Sequence, residues 1–158
     1  MKLGIPMSGL QLALRAGLAA GLSIAIAQFF KLEYPIYAFI AAVIVSDLDP
    51  KRSGELGFIR LVATVVGALV GTALSATFPP GPVTVGVGIV LAMLACHLIR
   101  APEGAKVAGY ICGLVVFEHA SAPLHYAFFR FIETIIGVLT AWAISYVPKL
   151  IRAEQPGH

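Results

Sequence analysis

A stretch that the chain contains twice constrains its fold more than any other feature. Phe58 to Leu74 reads FIRLVATVVGALVGTAL, and seventy positions later Phe128 to Ile144 reads FFRFIETIIGVLTAWAI, with Phe, Arg, Thr, Gly, Leu and Ala in register. Each copy opens an apolar segment of membrane-spanning length. The second copy lies three apolar segments after the first, so it crosses a bilayer in the opposite sense. That is the pattern of an inverted-topology repeat, a plan common among transporters.

Composition points the same way. Of 158 residues, 59% are hydrophobic and 12% charged, and the mean hydropathy is +0.91. A soluble fold of such a chain would expose more apolar surface than water tolerates. The expectation is an all-α integral membrane protein. A spanning helix uses about 20 residues, so the spans fill the length and a single transmembrane domain is expected over 1–158, with repeat 1 at about 8–78 and repeat 2 at about 82–148.

Apolar segments run from about Leu10 to Phe30, Tyr34 to Leu48, Phe58 to Phe78, Val83 to Ile99, Lys106 to Glu118 and Phe128 to Val147, which predicts six transmembrane helices in a 3+3 arrangement. The breaks carry turn chemistry: LEYP at Leu32, DLDPKRSG at Asp47, PPGP at Pro79, APEG at Ala101 and HASAP at His119. No segment alternates apolar and polar residues, which excludes a transmembrane β-barrel. Lys and Arg are retained in cytoplasmic loops. One face then carries Lys2, Arg15, Lys51, Arg52, Arg60, Arg100, Lys106, Lys149 and Arg152, the other only Lys31 and Arg130, which predicts cytoplasmic N- and C-termini. The same rule explains the net charge of +3, so the basic residues are no sign of nucleic acid. Lys2 and Arg15 before an apolar stretch ending Ala25-Ile26-Ala27 superficially fit a cleaved signal peptide. Its removal would break the 3+3 plan, so the first helix is expected to be retained.

Within the repeat, Arg60, Thr64, Gly67 and Gly71 share one helical face, as do Arg130, Thr134, Gly137 and Ala141. Helix packing alone accounts for the small residues. The arginines are different, because a guanidinium costs about 2.5–3.5 kcal/mol at a helix centre; the alternatives are snorkelling from the helix ends and function. The plan places Arg60 at the cytoplasmic mouth and Arg130 at the outer mouth, where fixed positive charge attracts anions. The Thr64 and Thr134 hydroxyls, one turn deeper, are candidates to donate hydrogen bonds to a carboxylate. Glu133, whose counterpart is Ala63, is either half of an ion pair with Arg130 or a protonatable coupling group.

The second and fifth helices are short and occupy corresponding places, a pointer to a transporter binding site. Asp47 and Asp49 end the second, and the seventy-residue offset aligns Asp49 with His119 after the fifth. These groups are candidates to hold a cation or relay protons, against an ordinary turn or helix cap. Tyr34 and Tyr37 fit an aromatic belt, and Trp142 faces either lipid or a substrate path. Cys96 and Cys112 read as small apolar residues, and His97 and His125 as interfacial; none has the spacing of a metal site.

The run EYPIYAFIAAVIV from Glu33, followed by RLVATVVGALVG from Arg60, resembles the PYW-A and R-GT-G-G signatures of the fusaric acid resistance and aromatic acid exporter superfamily. RFIETIIGVLTAWAISYV from Arg130 is similar to that family's closing helix. Tyr37 stands where the family has Trp, and Ala63 where it has Gly. The large cytoplasmic domain and second membrane half of long exporters are not matched, a gap that a homodimer would fill. The resemblance implies an organic-anion permeation unit of a bacterial inner membrane, related to plant aluminium-activated malate channels, with Arg60, Thr64, Arg130 and Glu133 carried over on their motif positions.

The expected function is transport of small anions, most of all aromatic or other carboxylates, by a homo-oligomer in the bilayer. The alternative is a non-transporting subunit that needs a partner. An enzyme is not expected, since HExxH, GxSxG and Ser/His/Asp-like patterns are missing. No Gly-rich nucleotide loop occurs either, so no cofactor is expected and transport would run on a gradient.

Overall fold

A computed structural model of the chain describes residues 6–147. Among them are six α-helices: α1 Met7–Phe29, α2 Pro35–Val45, α3 Pro50–Thr77, α4 Pro82–Leu98, α5 Ala105–Glu118 and α6 Pro123–Ser145, with a 3-10 turn at Pro102–Gly104 before α5. Three of them, α1, α3 and α6, are long and apolar enough to cross a membrane. At about 1.5 Å per residue, the 11 residues of α2 and 14 of α5 fall well short of a hydrocarbon core about 30 Å thick. Lys2, Lys149 and Arg152 of the charge argument lie outside the described residues.

Two helices, α3 and α6, begin five or more residues earlier than hydropathy predicts, and capping chemistry is the reason. Asp49 is the N-cap of α3, its side chain accepting from the Lys51 N–H at 3.0 Å, and Pro50 takes the first helical position. The polar run after Asp49, expected as a break, is therefore helix, and Arg60 is the eleventh residue of α3 rather than near its start. Pro123 likewise opens α6 five residues before Phe128, which places Arg130 on its third turn.

The molecule is apolar outside and small inside. Leu98, Phe29 and Val83 are 84%, 81% and 79% exposed, while the buried apolar positions are chiefly alanines, including Ala19, Ala38, Ala41, Ala63 and Ala108. Close helix approach by small residues, without a water-driven hydrophobic term, is the packing chemistry of membrane helices. A side chain at Gly67 would run into the Ala108 backbone of α5, and one at Gly137 into Ala38 and Ala41 of α2. Gly71 meets Val115 and Cys112, and Gly88 meets Cys112 and Leu74, so the repeat's small residues are packing positions. Cys96 and Cys112 are buried as free thiols in one apolar cluster with Ala92 and Ala108.

The principal contacts pair α3 with α5, α2 with α6 and α3 with α6; α1 lies on α2 and α6, and α4 on α5 and α3. Exchanging α1 with α4, α2 with α5 and α3 with α6 maps this set of helix contacts onto itself. At one end Arg15 donates to the carbonyls of Leu48, Ser145 and Val147, at 2.9, 3.2 and 2.7 Å, tying α1 to the ends of α2 and α6. Arg52 lies 3.5 Å from Glu103 at that end, joining the start of α3 to the turn before α5. At the other end the Glu33 carboxylate lies 3.6 Å from His125, which joins the α1–α2 connection to the start of α6.

Candidate functional site

Arg60 and Arg130 are 2% and 1% exposed. Neither sits at a mouth of the molecule. Both guanidinium carbons lie 5.4 Å from the centre of one ring, that of Tyr110 on α5. The two charges are thus separated by no more than twice that distance, against a hydrocarbon core of about 30 Å. The expectation of one arginine guarding each end is therefore corrected. It fails because α3 begins early and carries Arg60 deeper into the bundle. Snorkelling fails with it, since neither head group reaches the surface.

Arg130 is held by aromatic rings. Its guanidinium sits over Tyr37 of α2, 3.5 Å from the ring centre, and donates to the Tyr110 hydroxyl at 2.9 Å. A cation over the negative face of a tyrosine is an attractive arrangement, strengthened where water is excluded. Among the described residues its Nε and Nη1 have no hydrogen-bond partner, and neither do any of the three guanidinium nitrogens of Arg60. The two arginines thus present a cluster of unsatisfied buried N–H donors about one tyrosine.

The threonines do not add to those donors. Thr64 Oγ1 donates to the Arg60 carbonyl at 2.8 Å, and Thr134 Oγ1 to the Arg130 carbonyl at 2.7 Å. Each hydroxyl proton is engaged in back-bonding one turn up its own helix.

Glu133 is fully buried, at 0% exposure. Among the described residues no ion pair joins it to Arg130, so the expected pair is also corrected. Its Oε1 instead accepts the backbone N–H of Tyr34, the N-cap residue of α2, at 2.7 Å. A carboxylate there meets the positive end of the helix dipole, where Pro35 leaves few other donors. Its Oε2 has no partner.

Further out, His119 stacks on Tyr126 with ring centres 3.8 Å apart and planes at 14°, and Tyr126 meets Tyr37 at 5.9 Å and Tyr34 at 5.5 Å. A file of rings therefore leads from the α5–α6 connection through Tyr126 and Tyr37 to Arg130 and Tyr110. Burial among these rings pushes the His119 imidazole below its usual value, and Glu118 pulls it partly back. Asp47 and Asp49 stand apart: Asp47 accepts the Asp49 N–H at 2.9 Å and Asp49 caps α3, a turn and a cap eleven residues of helix from Arg60. Among the described residues, no group of three or more His, Cys, Asp and Glu side chains suits a metal ion.

Sequence reasoning missed Tyr110 and Tyr126. The seventy-residue offset pairs Tyr110 with Ile40, so the repeat gave no sign of it. A tyrosine in mid-helix within an apolar segment was the available signal, because its hydroxyl needs a partner there.

A bundle of helices with an apolar exterior and buried cations at its centre defines a membrane protein with a charged interior. The comparisons narrow this class. A family profile described as aromatic acid exporter family member 1 matches residues 10–147, and the chain belongs to that family. It is 25% identical to UPF0421 protein YgaE of Bacillus subtilis over 84% of this chain and 38% of that protein. With UPF0421 protein SH1063 of Staphylococcus haemolyticus it shares 27% over 72% of this chain and 35% of the relative, and with UPF0421 protein BH2644 of Halalkalibacterium halodurans 30% over 60% and 27%. The chain thus spans between about a quarter and two fifths of the length of these relatives. No solved structure matches it.

Proposed function

We propose that this chain forms a membrane pathway for small organic anions, with Arg60 and Arg130 binding one carboxylate together beside Tyr110. The observation that carries the reading is the Arg60 guanidinium, buried with no protein partner on any nitrogen. Such a charge is costly in a low-dielectric interior, and a second positive charge nearby adds to the cost. An anion between them relieves both, because charge-assisted hydrogen bonds from guanidinium to carboxylate are among the strongest in proteins. The rings of Tyr37 and Tyr110 offer flanking faces for an aryl group, in keeping with a family described as exporting aromatic acids.

The pathway is read as an inverted 3+3 repeat. Support comes from the helix contacts, which are preserved when the halves are exchanged. It comes also from the caps: Glu133 meets Tyr34, the N-cap of α2, and its counterpart Ala63 meets Gly104, the N-cap of α5. Arg15, Lys51, Arg52 and Arg100 gather toward one end, which favours cytoplasmic termini in a multi-pass bacterial inner membrane protein. The reading extends to a homodimer or larger homo-oligomer, for which the groove lined by Val65, Leu69, Leu124 and Phe128 between α3 and α6 offers an apolar seam.

The test is flux through the purified protein in liposomes, with benzoate, malate, chloride and gluconate supplied in turn, with and without a pH gradient. Carboxylate flux above that of protein-free vesicles is the expected result. No flux of any solute through folded, inserted protein would favour the partner-dependent subunit instead.

A further inference from the structure

Arg60 and Arg130 occupy corresponding positions in the repeated stretch, and the residues three positions on from each, Ala63 and Glu133, differ. Both of those positions touch the N-cap residue of the short helix contributed by the other half. In one half the contact is apolar: the Ala63 methyl packs on Gly104, where a Cβ would stand only 2.9 Å away. In the other it is polar: Glu133 Oε1 accepts the Tyr34 N–H at 2.7 Å, and Oε2 is buried without a partner. One short helix thus starts against an alanine methyl, the other against a carboxylate.

We propose that Glu133 is the proton-binding site of this protein and that its ionised form locks the start of α2 against α6. An ionised carboxylate accepts the Tyr34 N–H as a charge-assisted bond and favours the positive end of α2; a protonated one loses both contributions. Protonation moves one proton from the water onto the carboxylate and breaks no covalent bond. The consequence reaches the anion site directly, because Tyr37 lies one turn after Tyr34 and covers Arg130 at 3.5 Å. When the first turn of α2 loosens, Tyr37 leaves the guanidinium and the anion gains access from that end. Proton binding and anion passage are thereby coupled. This inference rests on the anion pathway for its transport consequence, but the lock itself does not.

Other titratable groups surround the site. On α2 and just before it stand Tyr34, Tyr37 and Glu33, with Glu33 beside His125. Arg130 and Tyr126 project from its own helix, and Tyr110 and His119 from α5, with Arg60 beyond on α3. Two imidazoles, His119 and His125, stand nearest as rival proton sites, and the test separates them.

The experiment is hydrogen exchange at the Tyr34 amide in bilayer-reconstituted protein, expressed as protection factors between about pH 8 and about pH 5. In the native chain protection should fall about tenfold on acidification, the loss expected for one charge-assisted bond. Glu133→Gln should show protection that no longer depends on pH. An unchanged pH dependence in Glu133→Gln, or its disappearance in His119→Gln or His125→Gln with Glu133 intact, would overturn the proposal. A second readout is benzoate flux: the ratio of flux with and without a pH gradient should fall to one in Glu133→Gln, and a native ratio there would count against coupling. If the native protein carries no anion at all, the pathway fails while the exchange measurement still decides the lock.

Discussion

A guanidinium has five N–H donors, and in Arg60 none meets a protein acceptor although the side chain is buried. That residue, with Arg130 on the same tyrosine, is where charge in this molecule is least reconciled with its surroundings. Both arginines and both threonines were visible in the sequence because the repeat set them in register, and Glu133 because it breaks that register against Ala63. Their meeting was not, since it depends on Tyr110, which has no counterpart in the other half. At the rim of the ring file, burial lowers the folded-state pKa of His119. Between the folded and the ordinary imidazole values the unfolded chain binds a proton that the folded chain does not. Stability should therefore decline as pH falls through the ordinary imidazole range. His119→Phe, which keeps the stacking on Tyr126, should lessen that decline, as measured by thermal unfolding in detergent from about pH 8 to about pH 5; an unaltered profile would contradict it.

At the scale of elements, hydropathy located every helix but misplaced the starts of α3 and α6. It responds to where apolar residues begin, whereas a helix begins at its cap, here Asp49-Pro50 and Ala122-Pro123. The eight residues gained by α3 are what carry Arg60 inward. The paired contacts of α3 on α5 and α6 on α2 rest on glycine. Gly67→Ala and Gly137→Ala should each destabilise by about 1–3 kcal/mol, the usual range for an overpacked core. Gly17→Ala, where a Cβ meets nothing within 4 Å, should be neutral or mildly stabilising, because alanine favours the helix. Thermal unfolding of the three variants side by side is the check. Equal stability in all three would mean that these helix approaches are looser than described.

Among the described residues the molecule puts small residues and four charged side chains, Arg15, Arg60, Arg130 and Glu133, inside and many large apolar residues outside, the reverse of a soluble domain. Its membrane character was legible from composition and its family from short motifs. The depth of the charges was not, because it is set by pairing across the two halves. The central claim is that Arg60 and Arg130 serve one anion site. A double-mutant cycle on carboxylate flux in liposomes tests it most directly. Arg60→Ala and Arg130→Ala should each lower flux by at least about tenfold while leaving folded yield largely intact. The double variant should lose little beyond the worse single variant, because a site once broken is not broken again. Losses that multiply in the double variant, or native flux in either single one, would contradict a shared site.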